Sequence, residues 1–195
     1  TLTTFVGSPT TYTVTVTDTQ SQCKGTATAT VAEGPKVTVK VGQGAGAQNA
    51  MIEVPVTVEN FSKIYSFSFA YESVNNLVGT IMGASAVHPS LSGGGTFTSN
   101  ANGVTWISTG AALTLPANTL LFNIKVQLTS APVGSTTVVR AFDGTPSLEF
   151  QQDSAGTPKV TMVTLVNGLA TINAGSADKE IGGDIWEGKR TLMLV

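Results

Sequence analysis

Residues 64–71 read Ile-Tyr-Ser-Phe-Ser-Phe-Ala-Tyr, an alternation that sets Tyr65, Phe67, Phe69 and Tyr71 on one face of an extended strand. Side chains on a strand point to opposite faces in turn, so a ring at every second position predicts a core strand with small polar residues on its other side. The same period appears upstream. Residues 11–18 read Thr-Tyr-Thr-Val-Thr-Val-Thr-Asp, with Tyr12, Val14 and Val16 on one face and threonines on the other. Residues 26–31 alternate again, with Ala27, Ala29 and Val31 on the apolar side, and the polar stretch between the two runs predicts a hairpin. Further strands are predicted at 37–41, 51–58, 77–82, 95–99, 104–108, 119–128, 136–142 and 160–172. Turns are expected at 42–47 and near Asn167-Gly168, and a loop at 83–95. Pro55 lacks a ladder donor, which predicts an edge strand or a bulge there.

Composition agrees with an all-β chain. Of 195 residues, 41% are hydrophobic and 11% charged, against roughly 25% charged in an ordinary soluble domain. Polarity comes instead from hydroxyls, with 30 threonines in the sequence. Threonine and valine are stiff at χ1 and suit a pleated, half-buried surface. The net charge of −2, from 10 basic and 12 acidic residues, excludes a nucleic-acid binder that works by neutralising phosphates. No run of about 18 apolar residues is present, so no membrane insertion by a helix is expected. The sequence opens at Thr1 without Met or a leader pattern and is expected to be an interior or processed piece.

The punctuation divides the chain into three units. Residues 1–34 hold too few apolar side chains to close a core, and a lone hairpin is marginal in water. Residues 35–173 carry enough short strands for a two-sheet sandwich. Residues 174–195 begin as a small-residue linker, and 178–190 then hold seven charged residues. This tail reads as an opening hairpin that includes Ile181, Ile185, Trp186, Leu192 and Leu194.

The middle unit resembles a cohesin module, the β-sandwich of cellulosome scaffolds and of some large bacterial surface proteins. The resemblance rests on Val37-Thr38-Val39, on Ile52 to Val58 followed by Asn60-Phe61, and on the aromatic strand ending Phe69-Ala70-Tyr71. It continues through Gly103 to Ser108, Leu120 to Val126, and the closing Val166-Asn167-Gly168-Leu169-Ala170-Thr171-Ile172. The sequence departs from the pattern after Tyr71, where Glu72-Ser73-Val74 replaces the usual Asp-Pro. The resemblance implies a jelly-roll or Ig-like β-sandwich with an additional hairpin on each side. It implies a calcium-loaded dockerin-like domain as partner, held on one sheet face through residues 65–71, 103–108 and 119–128. Residues 12–31 resemble the last strands of the Ig-like repeats of giant surface proteins, and 181–195 the first hairpin of another.

Chemistry is sparse. The single histidine, His88, precedes Pro89 in the expected loop with no nucleophile elbow near it, so no catalytic residue and no enzyme are expected. Asp143-Gly144 and Asp153 lack the spacing of a calcium loop, and no metal or cofactor is expected. Cys23 has no intrachain partner; it is a lone turn thiol or the half of a bond to another chain.

The expected function is therefore a non-enzymatic structural or adhesive module of a large extracellular, cell-surface protein. Its neighbours would be other copies or adjoining repeats, joined by strand pairing into a filament through Tyr12, Val14, Val16, Ile181, Ile185, Trp186, Leu192 and Leu194. The alternative is a receptor face made of Tyr65, Ser66, Phe67, Ser68, Thr105 and Ser108 for a dockerin-like domain or a surface glycan. The aromatic stripe is either core or a sugar platform, and Trp106 raises the same question. Asp153-Ser154-Ala155 resembles a short O-glycosylation motif, which makes Ser154 a candidate acceptor.

Overall fold

The computed structural model describes residues 10–31, 36–154 and 157–174. In the first segment β1 (Thr10–Thr17) and β2 (Lys24–Val31) pair antiparallel. Their register sets Thr11, Thr13 and Thr15 opposite Thr30, Thr28 and Thr26 on one face, and Tyr12 and Val14 opposite Ala29 and Ala27 on the other. The turn is closed by Asp18, whose Oδ1 accepts the N–H groups of Gln20 and Ser21 and the Ser21 hydroxyl. Those bonds, led by the Ser21 N–H, hold its carboxyl below the usual carboxylate range. Cys23 is exposed in this turn.

The chain then forms β3 (Lys36–Val41), β4 (Gln43–Gly46), β5 (Met51–Glu59), β6 (Ile64–Ser73), β7 (Gly79–Ser85) and the short helix α1 (Pro89–Gly94). There follow β8 (Gly95–Ser99), β9 (Gly103–Ser108), β10 (Thr119–Leu128), β11 (Thr136–Phe142) and β12 (Glu149–Ser154). The last strands are β13 (Thr157–Val160), β14 (Met162–Val166) and β15 (Gly168–Ile172). One sheet has the order β14-β3-β5-β10-β7. The other is centred on β6, which pairs with β9 along one edge and with β12 and then β11 along the other. Beyond these lie β8 on β9, β13 on β12, and β15 then β4 on β11.

Two parallel pairs close the sandwich. β3 lies parallel to β14 in the first sheet, and their continuations β4 and β15 lie parallel in the second. The stretch expected as a turn at 42–47 is therefore mostly β4, and two neighbouring strands change sheets together at Gly42 and Asn167. Glycine is required there, since a Cβ on Gly168 would stand 1.9 Å from the Gly42 carbonyl oxygen. Because both pairs run the same way, the chain enters the sandwich at Lys36 and leaves at Ile172 on the opposite end.

Pro55 does not sit in an edge strand, but the ladder is irregular next to it: the register with β10 shifts between Leu120 and Phe122, opposite Thr57 and Val56. β5 is internal, between β3 and β10, with Pro55 opposite Asn123. Its carbonyl accepts the Gly42 N–H at 2.7 Å, so the side on which its own N–H is missing faces the point where β3 has left for the other sheet, past the last ladder pair at Val41 and Val56.

The inward faces meet in an aromatic core. Phe67, Phe69, Tyr71, Trp106, Phe122 and Phe150 are buried. Phe67 stacks on Phe150 and Trp106 with centroids 5.4 and 5.7 Å apart, and Phe69 on Phe122 at 6.1 Å. Offset stacking and edge contacts of this kind add to the stabilisation from burial alone. Aliphatic residues of the other sheet, among them Val39, Val54, Val56, Ile124 and Val126, complete it.

Candidate functional site

The outward side of β6 carries the residues between the rings, and pairing places them in rows across four strands. Ser66 lies opposite Ile107 of β9 and Gln151 of β12, and Ile107 in turn opposite Thr96 of β8. The next row is Thr98, Thr105, Ser68 and Glu149. The result is a gently hollowed face of hydroxyls and amides with one prominent apolar side chain, Ile107, 57% exposed. A depression of about 190 Å³ lies in it between Ser66, Ser68, Thr105, Ile107, Glu149 and Gln151. Its carboxylate, Glu149, accepts from the Gln151 side-chain amide at 2.5 Å, and Ser68 donates to the Ser147 carbonyl at 2.7 Å. Thr105 and Thr98 lead from this face into a recess of about 330 Å³ lined also by Asn100, Asn102, Thr145 and Pro146.

Packing behind the face holds it in place. Trp106 points inward, fully buried, and its Nε1 donates to the Leu91 carbonyl of α1 at 2.9 Å. The segment expected as a loop at 83–95 thus contains a helical turn, and His88 caps it: its Nδ1 accepts the Ser90 N–H at 3.2 Å. Gly95 lets β8 lie close over this corner, because a Cβ there would come within 2.4 Å of the Ile107 carbonyl oxygen and 2.5 Å of Trp106 Nε1. On the inward side the Tyr71 hydroxyl donates to the Asn100 carbonyl at 2.7 Å, and burial pushes its pKa up to about 12.

Several sequence-derived assignments change here. Phe67, expected on the partner face, is core, since it shares parity with Phe69 and not with Ser66 and Ser68. Tyr65 belongs to neither set cleanly. A register shift between β6 and β12 at Gln151/Gln152 puts Ile64 into the core and leaves Tyr65 half-buried, off the expected stripe. Ser108 has the parity of Trp106, and its hydroxyl donates to the Ala111 carbonyl at 2.8 Å inside the turn after β9. Residues 119–128, implied as part of the partner face, form β10 at the heart of the opposite sheet. The aromatic stripe is core and presents no sugar platform.

Ser66, Ser68 and Thr105 do come together. The sequence reading missed Thr96, Thr98, Ile107, Glu149 and Gln151; parity with Thr105 was the available signal for Ile107. For β12 the signal was a single inward ring, Phe150, in a polar stretch. Val14 and Val16 are 59% and 66% exposed and Tyr12 is half-buried. Ile181, Ile185, Trp186, Leu192 and Leu194 lie outside the described residues, as does the side chain of Ser154 at the end of β12. Asp143 uses its Oδ1 to accept the Leu148 N–H at 2.8 Å, a turn contact. Among the described residues no three metal-ligating side chains cluster.

No family model and no curated protein matches the chain. Solved structures do. The seventh ScaB type I cohesin of Pseudobacteroides cellulosolvens superposes with a TM-score of 0.56 at 12% identity, over 74% of this chain and 96% of that one. The third ScaB cohesin of R. flavefaciens, solved in complex with a group 1 dockerin, gives 0.54 at 14% identity, over 72% of this chain and 97% of that one. A non-cellulosomal cohesin from the archaeon Archaeoglobus fulgidus gives 0.52 at 19% identity, over 76% and 97%. At such identities the likeness is one of fold, and the fold is that of a cohesin-like β-sandwich module.

Proposed function

We propose that the module is a non-enzymatic protein-interaction unit whose partner, a calcium-loaded dockerin-like domain, binds the outer face of β8, β9, β6 and β12. What carries this reading is the face itself: rows of short hydroxyl side chains around the exposed Ile107, supported from behind by Trp106 and Phe67. Short side chains lose little rotamer freedom on association, and the groups around an apolar side chain such as Ile107 serve to exclude water from it once a partner is bound. The similar fold of cohesins solved with dockerins bound adds support.

The test is titration calorimetry of the chain against a panel of calcium-loaded dockerins. One or more should bind, and Ile107→Arg should weaken binding by at least about 30-fold, the loss expected for a hot-spot side chain. The reading fails if no dockerin binds, or if Ile107→Arg leaves affinity intact while Thr57→Arg, on the opposite sheet, abolishes it.

A second reading concerns the larger assembly. An extracellular stalk or filament of tandem modules fits the entry and exit of the chain at opposite ends of the sandwich, which lets successive units continue in one direction. It also fits β1 and β2, whose outer edges and apolar face have no partner strand among the described residues. In this reading the flanks belong to neighbouring units, 1–34 upstream and 174–195 downstream, and the face and the stalk are parts of one cell-surface protein.

A further inference from the structure

The end of the sandwich from which the chain leaves carries several exposed apolar side chains. Three loops meet there, at 47–50, 74–78 and 129–135. Val74, Leu77 and Val133 project from the last two, 56%, 81% and 57% exposed. Met51, which follows the 47–50 loop at the start of β5, is 47% exposed and pairs with Gln127 at the same end.

These side chains are not on slack loops. Thr129 donates through its hydroxyl to the Leu77 carbonyl at 2.6 Å and through its N–H to Val78 at 3.0 Å. The Leu77 N–H is held by Asn75 Oδ1 at 3.1 Å, and the Asn75 N–H by the Thr137 hydroxyl at 2.9 Å. The Val74 N–H donates to the Val138 carbonyl at 3.0 Å. Val133 stands at the tip of the third loop, next to Gly134, whose φ of +88° makes the turn. A fixed framework thus holds apolar groups toward solvent, an arrangement that marks a contact surface.

The exit of the chain is bonded into the same cluster. The Gly134 N–H donates to the Ile172 carbonyl at 2.8 Å, and the Asn173 N–H to Gly46 at 2.7 Å. Only residues 175–180, Gly-Ser-Ala-Asp-Lys-Glu, separate Ala174 from Ile181, Ile185 and Trp186. Extended, that linker reaches about 24 Å at ~3.4 Å per residue, and a coil of this size typically spans about 15 Å. Either distance is enough for residues 181–186 to reach the patch, at an effective concentration in the millimolar range.

We infer that the surface formed by Val74, Leu77 and Val133 is the docking site for the chain's own residues 181–186, so that the sandwich and the segment after it meet in a fixed contact. A contact of this kind would set the angle between the sandwich and the downstream segment. It does not depend on the dockerin reading.

Trp186 supplies the probe, since the other tryptophan, Trp106, is sealed in the core. In the 195-residue chain, acrylamide quenching of the Trp186 emission, isolated by subtraction of Trp186→Phe, should be well below that of a peptide of residues 175–195. It should be the same at high and low protein concentration. Leu77→Asp and Val133→Asp alter exposed positions and leave Trp106 unquenched as a control on the fold. Each should lower the docked-to-undocked ratio by about tenfold or more, the effect of losing one covered aliphatic side chain. The inference is overturned if Trp186 in the chain is as accessible as in the peptide. Protection unchanged by both substitutions, or protection that disappears on dilution, overturns it equally, the last because the occupant would then be another copy.

Discussion

Strands β1 and β6 carry the same sequence pattern and have opposite fates. Each alternates apolar with hydroxyl side chains, Tyr-Thr-Val-Thr-Val in one and Phe-Ser-Phe-Ala-Tyr in the other. In β6 the apolar set faces a second sheet and disappears from solvent, with Phe67 and Phe69 at 1% and 0% exposure. Among the described residues the corresponding set in β1 meets only β2, whose facing residues Ala27 and Ala29 are too small to cover it. Alternation therefore states which side of a strand is apolar and not whether anything lies on it. Burial comes from a second layer, and a two-stranded ribbon has none.

The contrast can be broken most strongly from the sandwich side. Trp106→Ala removes a fully buried ring and leaves the Leu91 carbonyl without its donor, and should cost about 3–5 kcal/mol in denaturant unfolding of the sandwich. A loss under about 1 kcal/mol would mean that the aromatic layer is not what holds the sheets together.

A smaller effect is expected from Tyr71. Its folded-state pKa is raised by burial to about 12, above the value of about 10 for an exposed tyrosine, so the native state holds the proton more tightly than the unfolded one. Stability should accordingly be complete below about pH 10 and fall as pH rises from there toward 12. Tyr71→Phe, which cannot ionise, should reduce that alkaline slope in unfolding titrations followed by circular dichroism. An identical slope in the variant would remove Tyr71 from the account.

The smallest effect should come from the hairpin. Val16→Thr should change the stability of the sandwich by less than about 0.5 kcal/mol, as for other exposed positions. If β1 and β2 join units into a filament, however, the same substitution should shorten the fibres seen by negative-stain imaging of the native material. A destabilised sandwich would mean that the hairpin packs on it, and unaltered fibres would remove this face from the assembly.

Much of the fold was legible because its strands announce themselves locally. Residues 95–99, 119–128 and 136–142 are bounded in the structure where alternation bounds them. What escaped was what pairing decides. The stretches 42–47 and 167–168 look like turns because glycine and asparagine commonly make turns. The same glycines serve a close crossing of two backbones, which only the parallel pairing of β3 with β14 and β4 with β15 reveals. β12 hid because one ring in six residues gives no period.

The candidate face was half legible for a related reason. Ser66, Ser68 and Thr105 follow from parity along single strands. The inclusion of Thr96, Glu149 and Gln151 depends on which strands are neighbours, and the half-buried place of Tyr65 on a bulge that shifts parity by one. The assignment of 119–128 to this face failed at the same level, since no pattern within β10 says which sheet it joins.

The central claim is that the sandwich closes on itself while the β1–β2 ribbon does not. Amide hydrogen exchange on the 195-residue chain, followed peptide by peptide, tests it directly. The account predicts that amides of β6, β9 and β10 exchange only through global unfolding, whereas those of β1 and β2 exchange orders of magnitude faster despite a complete ladder between them. Equal protection in β1 and β6 would contradict it, because the ribbon would then have a second layer within this chain.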